Sequence, residues 1–464
     1  MRRRLLIANE WVDAPGTIQT PAGEAAKAGL EELERAVASA VRAFEETRRL
    51  SSARRSEILQ KAAAGLARRK DEFARTITLE NAKTIRLSRG EVDRAVSTFT
   101  IAAEEAKRIG GEVVPLDLNA QSEGRLGITR RLPLGPVFGI TPFNFPLNLV
   151  AHKVAPAMAA GNSIVLKPSS ATPHTALLLG EVLVEAGMVP GTVNVVPCAA
   201  SDADRLVADE RFKLVTFTGS PAVGWELKRK AGKKRVALEL GGNAAVIVHD
   251  DADLEQAVER SVAGAFAYSG QVCISVQRIY LQEGIADEFT RRFLERTSKL
   301  VLGDPHDEKT DLGPMLDEAA AGKAAEWVDE AVRGGARVLC GGRREGRLFP
   351  ATVLEGVRPE MKVHCQEAFA PLVNLYRYRD FPEALAAVNG SAYGLQAGLF
   401  TRDAGRIFRA FEELEVGGVI VNDAPNWRID HMPYGGEKDS GLGREGVRYA
   451  IEEMTQLRLL ALKC

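Results

Sequence analysis

The tightest constraint on this chain is the spacing of five short apolar runs, at 136–140, 164–166, 193–196, 214–217 and 236–238, which start 28, 29, 21 and 22 residues apart. Antiparallel strands can be joined by a tight hairpin, but parallel strands need a crossover of about a dozen residues or more, usually a helix. Intervals of this length leave room for crossovers, and 174–186 and 222–231 carry helical patterns that fill them. The rhythm predicts βαβ units in a parallel sheet. A second alternation follows Gly241-Gly242, with strands expected at 245–248, 279–281, 372–375 and 418–421 and helices at 253–268, 285–299 and 403–413. The fold class is therefore α/β, with two parallel-sheet lobes joined near residue 240.

The flanking segments read differently. Residues 31–109 are rich in Ala, Glu, Arg and Leu, with Ile58, Ala62 and Leu66 at helical spacing, and predict long amphipathic helices. After Gly110-Gly111 the texture turns strand-like at 113–115 and 126–130, a protruding ribbon, and 457–462 near the carboxyl end is strand-like again.

With 61 basic and 62 acidic side chains the net charge is −1, so no bulk attraction to nucleic acid or to an anionic membrane is expected. The stretch 146–166 is apolar but interrupted by Asn148, His152, Lys153 and Asn162, which argues against a membrane span. Arg2-Arg3-Arg4 is followed by only four apolar residues, too few for a signal peptide. Five scattered cysteines without a CxxC pair predict neither a disulfide framework nor a metal site, and fit a cytoplasmic location. Cys464 is the last residue, so it lacks the three that a prenylation motif requires.

Among those cysteines, Cys273 in Ser269-Gly-Gln-Val-Cys273 lies 34 positions after Glu239 in Leu238-Glu-Leu-Gly-Gly-Asn243. A thiol can add to an electrophilic carbon while a carboxylate prepares the water that releases the product. Alone, such a cysteine reads equally as a small buried hydrophobe. Asn144 is fixed between prolines in Thr141-Pro-Phe-Asn-Phe-Pro146, where its amide can hold an oxyanion together with the Cys273 backbone N–H, or simply satisfy loop carbonyls. No GxGxxG follows any expected strand. Phe217-Thr-Gly-Ser-Pro-Ala-Val-Gly224 offers a looser phosphate site at a helix start, or a plain turn with Ser220 as helix cap. Lys167 falls at the carboxyl end of an expected strand, where open α/β sheets bind ligands.

Taken together these segments resemble the NAD(P)-dependent aldehyde dehydrogenase superfamily over nearly the whole chain. The matching blocks are Ile140-Thr-Pro-Phe-Asn-Phe-Pro146, Ala160-Gly-Asn-Ser-Ile-Val-Leu-Lys-Pro-Ser169, Phe217-Thr-Gly-Ser220, Leu238-Glu-Leu-Gly-Gly-Asn243, Ser269-Gly-Gln-Val-Cys273, Glu367-Ala-Phe-Ala-Pro-Leu372, and Pro433-Tyr-Gly-Gly436 with Ser440-Gly-Leu-Gly-Arg-Glu-Gly446. The resemblance implies that Cys273 attacks an aldehyde, that Asn144 and the Cys273 amide hold the oxyanion, and that Glu239 activates water against the resulting thioester. It implies a proton route through Lys153 and Glu445. NAD or NADP would be held by Thr141, Pro142, Phe143, Lys167, Ser170, Gly219, Ser220, Val223, Leu240, Glu367 and Phe369. The closest likeness is to the lactaldehyde and succinate-semialdehyde dehydrogenase-like group. It also implies a Rossmann-like cofactor lobe from 1–114 and 134–239, a catalytic lobe from 240–450, and a ribbon from 115–133 with 451–464 that builds a homodimer or homotetramer.

Two departures from the family pattern carry information. Ala370 replaces a glycine, which reduces backbone freedom beside Glu367. Ser170 stands where many strictly NAD-using relatives carry a glutamate, so acceptance of NADP is expected. For the substrate, the stretch 422–434 resembles the loop over the substrate mouth, and Arg428 and His431 can hold an anionic or hydroxylated tail. Arg428 can equally pair with Asp430 or Asp423. Val272, where phosphate-specific relatives often carry arginine, favours small hydroxy- or carboxy-aldehydes. The competing readings are a CoA-acylating dehydrogenase, against which Glu239 argues, and a catalytically silent protein of the same fold.

Overall fold

The computed structural model describes residues 2–464, so Met1 of the first expected segment lies outside the described residues. Each of the five apolar runs forms a strand: Val137–Ile140, Ile164–Lys167, Val193–Val195, Leu214–Thr218 and Arg235–Glu239. The first four are buried along their whole length, because helices cover both faces of a parallel sheet and leave no polar side. Their spatial order runs Arg235–Glu239, Leu214–Thr218, Val137–Ile140, Ile164–Lys167, Val193–Val195, all parallel. Chain order reverses between Val137–Ile140 and Leu214–Thr218, and the loops beyond their carboxyl ends diverge to open a crevice there. Those loops carry Thr141 to Asn144 and Gly219 with Ser220.

Three strands that the run spacing does not reach complete this eight-stranded sheet. Leu5–Ile7 and Glu10–Val12 extend one edge antiparallel, and Gly441–Leu442 pairs antiparallel with Arg235–Glu239 at the other. Helix Val447–Glu453 then follows Gly441–Leu442, and its Val447 and Ile451 are buried in the same core as Val150 and Val154 of helix Asn148–Ala160. The chain thus returns to the first sheet before residue 450. A small sheet of Arg2–Arg3, Gly23–Lys27 and Gly16–Thr20 also lies in the amino-terminal region.

The second sheet has seven strands, in the order Arg337–Cys340, Thr352–Glu355, Leu372–Tyr378, Val276–Gln282, Ala244–Val248, Gln396–Phe400, Gly418–Val421. All its pairs are parallel except the edge pair Arg337–Cys340 with Thr352–Glu355. The ribbon is three-stranded and antiparallel, with Arg125–Pro133 between Val113–Pro115 and Thr455–Lys463.

The 31–109 stretch folds as four helices, Leu30–Thr47, Ser52–Arg68, Lys70–Asn81 and Ile85–Glu105. Helix Asn148–Ala160 is buried at every residue, which accounts for its apolar sequence. Among the described residues no helix is long and apolar enough to cross a membrane.

One buried carboxyl ties helix Lys70–Asn81 to helix Pro173–Glu185. Glu80 accepts from the backbone N–H groups of His174 (2.6 Å) and Thr175 (3.0 Å) and from the Thr175 hydroxyl (2.5 Å), and so caps the start of helix Pro173–Glu185. Burial pushes its carboxyl up to about 7, against the pull of these bonds. Glu80→Ala leaves the buried N–H groups unpaired and should cost on the order of 3 kcal/mol, read as a lowered thermal midpoint, whereas Glu80→Gln keeps an acceptor and should lose less.

Candidate active site

The chain crosses from the first sheet to the second through Leu240 to Asn243, between strands Arg235–Glu239 and Ala244–Val248. Only glycine fits the middle of this crossing. A Cβ on Gly242 would collide with the Cys273 carbonyl oxygen, and one on Gly241 with the Glu367 carboxylate. Glu367 accepts the Gly242 N–H at 2.9 Å, which fixes the approach. Glu239, the last residue of its strand, is thereby brought to the same cavity as Cys273 on the loop leading into Val276–Gln282.

The loop that carries Cys273 is strained. Tyr268 and Ser269 both adopt left-handed backbone, at φ 50° and 51°. Such conformers cost about 1–3 kcal/mol each and persist where the surroundings over-determine them. Here the Tyr268 hydroxyl donates to the Asn81 carbonyl (3.1 Å) and the Ser269 hydroxyl to that of Gly313 (2.7 Å). Phe369, across the cavity, is likewise left-handed at φ 51°. Its neighbour Ala370 is not among the positive-φ residues, so alanine is accommodated there without backbone strain.

The cavity has a volume of about 360 Å³. Asn144, Glu239, Cys273 and Glu445 line it, with Pro142, Phe143, Gly219, Ser220, Leu240, Glu367, Phe369 and Arg428. Lys153 stands behind the wall, 3.5 Å from Glu445 Oε1 and 3.0 Å from the Thr216 hydroxyl. Asn144 is held through its backbone: its carbonyl accepts from Lys83 Nζ at 2.6 Å, and Lys83 is paired with buried Glu91. Glu91 in turn accepts the N–H groups of Leu147 (2.9 Å) and Asn148 (3.1 Å) at the start of helix Asn148–Ala160. The Asn144 side-chain amide donates to the Gln271 carbonyl at 3.1 Å, leaving its second N–H for a ligand. The Cys273 backbone N–H has no hydrogen-bond partner among the described residues.

Charge is arranged unequally around this wall. Cys273 is half-buried, and burial pushes its thiol up to about 12 while the Tyr434 hydroxyl pulls it down. Glu239 is held well above the usual carboxylate range by burial first and by the charge on Glu445 second, and its Oε2 has no partner. Burial would raise Glu445 too, but Lys153, His152 and Arg428 outweigh it and keep that carboxyl low. Lys153 is lowered by burial against the pull of Glu445 and Glu239. The two carboxyls are thus driven apart, Glu445 down and Glu239 up.

Arg428 pairs neither with Asp430 nor with Asp423. It donates to Glu445 Oε2 at 3.1 Å and lies 3.7 Å above the Tyr434 ring. Asp430 is taken by Arg94 (2.7 Å), His152 (2.9 Å) and Asn148 (3.2 Å), and Asp423 by Arg260. Arg428 Nε and Asn426 Oδ1, both on residues of the cavity wall, are buried without partners. His431 is exposed and does not line the cavity. Arg94, Tyr434 and Asn426 are wall residues that sequence reasoning did not single out, although Tyr434 sits inside the quoted Pro433-Tyr-Gly-Gly436 block. A second cavity of about 250 Å³ shares Arg94, Phe145, Val272 and Asn426 with the first and extends past Arg86 and Gly90.

A dinucleotide fits the crevice side. Lys167 is buried, its ammonium reaching, among the described residues, only the Pro168 carbonyl at 3.3 Å, and burial lowers its proton affinity. The hydroxyls of Thr141 and Thr218 are buried without partners. Ser220 precedes helix Pro221–Lys230 but its side chain makes no capping bond, so its hydroxyl and the first N–H groups of the helix remain for a phosphate. Glu367 is half-buried, desolvation pushes its carboxyl up to about 7, and a ribose hydroxyl donating to it would offset part of that. Ser170 and Val223 are exposed at this end, outside the cavity wall.

Comparison with known proteins matches residues 12–460 to the model of the aldehyde dehydrogenase family. A 3-sulfolactaldehyde dehydrogenase of Priestia megaterium is 49% identical over 445 residues, covering 96% of this chain and 93% of that protein. Aldehyde dehydrogenase 21 of Physcomitrella patens, solved in complex with the reaction product succinate, superposes with a TM-score of 0.98 at 44% identity, covering 100% of this chain and 98% of that one. Glyceraldehyde-3-phosphate dehydrogenase of Methanocaldococcus jannaschii, complexed with NADP, gives a TM-score of 0.92 at 38% identity, with coverage of 100% and 99%.

The electrostatics make one prediction independent of turnover. Glu445→Gln removes the charge that, after burial, raises Glu239 most, so the Glu239 carboxyl should titrate at lower pH in difference infrared spectra. An unmoved band would mean that burial alone sets it.

Proposed function

Because the chain belongs to the aldehyde dehydrogenase family and is an NAD(P)-dependent oxidoreductase acting on the aldehyde group, we propose that Cys273 is its nucleophile, Glu239 its base and Asn144 its oxyanion donor. The observation that carries this is their convergence on one cavity, with the Cys273 N–H and one Asn144 amide hydrogen unspent. Cys273 Sγ adds to the aldehyde carbon, and the two N–H donors hold the oxygen as charge builds on it. When bound, the nicotinamide accepts the hydride that this carbon gives up. Glu239 then takes a proton from water, whose oxygen attacks the thioester carbon; the carboxylate leaves and the thiol is restored. Lys153 and Glu445 pass the proton onward from Glu239. A base of this kind at the thioester supports water rather than CoA as the acceptor.

The cofactor reading rests on Thr141, Pro142, Phe143, Lys167, Gly219, Ser220, Val223, Leu240, Glu367 and Phe369, gathered at the crevice. Ser170 brings no carboxylate to repel a 2′-phosphate, which supports use of NADP beside NAD.

For the substrate, the reading is a small aldehyde with a hydroxyl or anionic tail. Arg428 Nε, Asn426 Oδ1 and Arg94 supply polar groups to a cavity otherwise walled by Phe143, Phe145 and Leu149. Relatives named for 3-sulfolactaldehyde, and a neighbour holding succinate, support an acidic tail. His431 joins only if the 422–434 segment closes over the mouth. The ribbon strand Thr455–Lys463 exposes Leu457 and Leu459 on one face and Leu460 and Leu462 on the other, apolar surface that a second copy of the chain would cover in a homodimer or homotetramer. Five unpaired cysteines support a cytoplasmic setting.

Glu239→Gln should still release one equivalent of NAD(P)H per site in a burst, then turn over about 10²–10⁴-fold more slowly, because only the hydrolytic half needs the base. A slowed burst would contradict the assignment. Across an aldehyde panel, anionic and hydroxylated short chains should lead neutral aliphatic ones, and kcat/KM with NADP should lie within a hundredfold of that with NAD. A preference for neutral chains would remove Arg428 from the substrate site.

A further inference from the structure

Tyr434 takes no part in the steps above, yet it touches the reacting sulfur. Its hydroxyl lies 3.1 Å from Cys273 Sγ. The side chain is buried, packed with Ile274 and Leu395 in the small apolar cluster around the nucleophile. Two contacts fix it from behind. Its backbone exchanges both hydrogen bonds with Glu445, at 3.0 and 2.6 Å, and the Arg428 guanidinium sits 3.7 Å above its ring while bonded to the same Glu445.

We propose that Tyr434 is a catalytic residue that donates its hydroxyl hydrogen bond to the Cys273 thiolate, and that Arg428 is a positioning residue that holds the tyrosine ring for this contact. The proposal rests on the reading of Cys273 as the nucleophile. Burial keeps the tyrosine proton on its oxygen well beyond the usual range, so the hydroxyl acts as donor and not as base. When the thiol ionises, the Sγ–H bond breaks, its electron pair stays on sulfur, the proton passes to water reaching the half-buried side chain, and the Tyr434 O–H bond remains intact.

A donor here matters because burial disfavours the charged form of this thiol. A buried thiolate without a partner is strongly disfavoured, and a hydrogen bond to the charged form offsets part of that. Bonds to an ionised acceptor are about twice as strong as neutral ones. The contact therefore strengthens when sulfur carries charge and weakens when it is bonded to carbon. That happens twice per turnover, before addition to the aldehyde and again as the carbon–sulfur bond of the thioester breaks. Stabilisation confined to those moments raises rate and not merely affinity. The ring contact also links the donor to the proton route, since Arg428 and the Tyr434 backbone both hold Glu445.

The test compares wild type with Tyr434→Phe, which keeps the ring under Arg428 and removes only the hydroxyl. Iodoacetamide alkylation of Cys273 is followed between pH 7 and 9 by peptide mass spectrometry, which separates it from the other four free cysteines, Cys198, Cys340, Cys365 and Cys464. Tyr434→Phe should alkylate roughly tenfold more slowly at each pH and lose about tenfold in kcat, with the KM for NAD(P) unchanged. A 3-fluorotyrosine at position 434, whose phenol is the better donor, should alkylate faster than wild type. A residue that only packs moves neither rate, so equal alkylation in all three proteins overturns the proposal. Cys273→Ser with wild-type turnover would instead overturn the nucleophile reading beneath it, and that outcome is separable because the alkylation rates do not depend on turnover.

Discussion

The active site depends on one close approach of backbone. The four residues from Leu240 to Asn243 carry the chain from one parallel sheet to the other, and Gly241 and Gly242 let them run against the Glu367 carboxylate and the Cys273 carbonyl with no side chain between. A methyl group at Gly242 would push the two lobes apart, and one at Gly241 would displace the Glu367 carboxylate. The carboxyl end of a strand in the first sheet therefore meets a loop entering a strand in the second, and Glu239 and Cys273 share one cavity although they belong to different sheets. The same glycines seat Glu367, through its bond to the Gly242 N–H, on the side of the crevice where the strand order reverses.

Around this junction the protein spends buried charge in pairs. Lys83 with Glu91 anchors the Asn144 loop, Arg94 and His152 share Asp430, and Lys153 and Arg428 share Glu445. Such pairs add little stability over apolar packing, but removing one partner leaves an uncompensated charge, so they fix geometry firmly. Glu239 and the Cys273 thiol stand outside the pairing. Both are pushed toward their neutral forms by burial, and both have neighbours able to shift them back, Lys153 and Arg428 for the acid and Tyr434 for the thiol. Groups whose protonation is finely balanced are the ones a proton-transfer reaction can use.

The parallel cores were legible because their signal is local: an all-apolar strand of four or five residues, repeated at crossover distance. Strands outside that rhythm were not. Leu5–Ile7 and Glu10–Val12 are three residues each, and Gln396–Phe400 carries a glutamine and a glycine that make a buried strand look like a turn. Cys273, Glu239 and Asn144 stood out because glycine- and proline-rich motifs surround them. Arg94 and Glu91 on helix Ile85–Glu105, and Lys83 in the loop before it, did not, since charges in a helical region look like any solvated face until the facing element is known. Arg428 shows the same limit. Its sequence neighbour Asp430 was a natural partner, but the fold gives Asp430 to Arg94 and His152 and brings Glu445 from 17 positions away. The twofold role of Tyr434, under Arg428 and against sulfur, exists only in three dimensions.

The central claim is that carbon from the aldehyde becomes covalently attached to Cys273 and to no other residue. Rapid acid quench of the protein during turnover with an aldehyde and NAD(P), followed by peptide mass spectrometry, tests it most directly. The account predicts an acyl group, at the mass of the aldehyde less two hydrogens, on the peptide that contains Cys273. Turnover with that peptide unmodified, or with the acyl group on another cysteine, would contradict it.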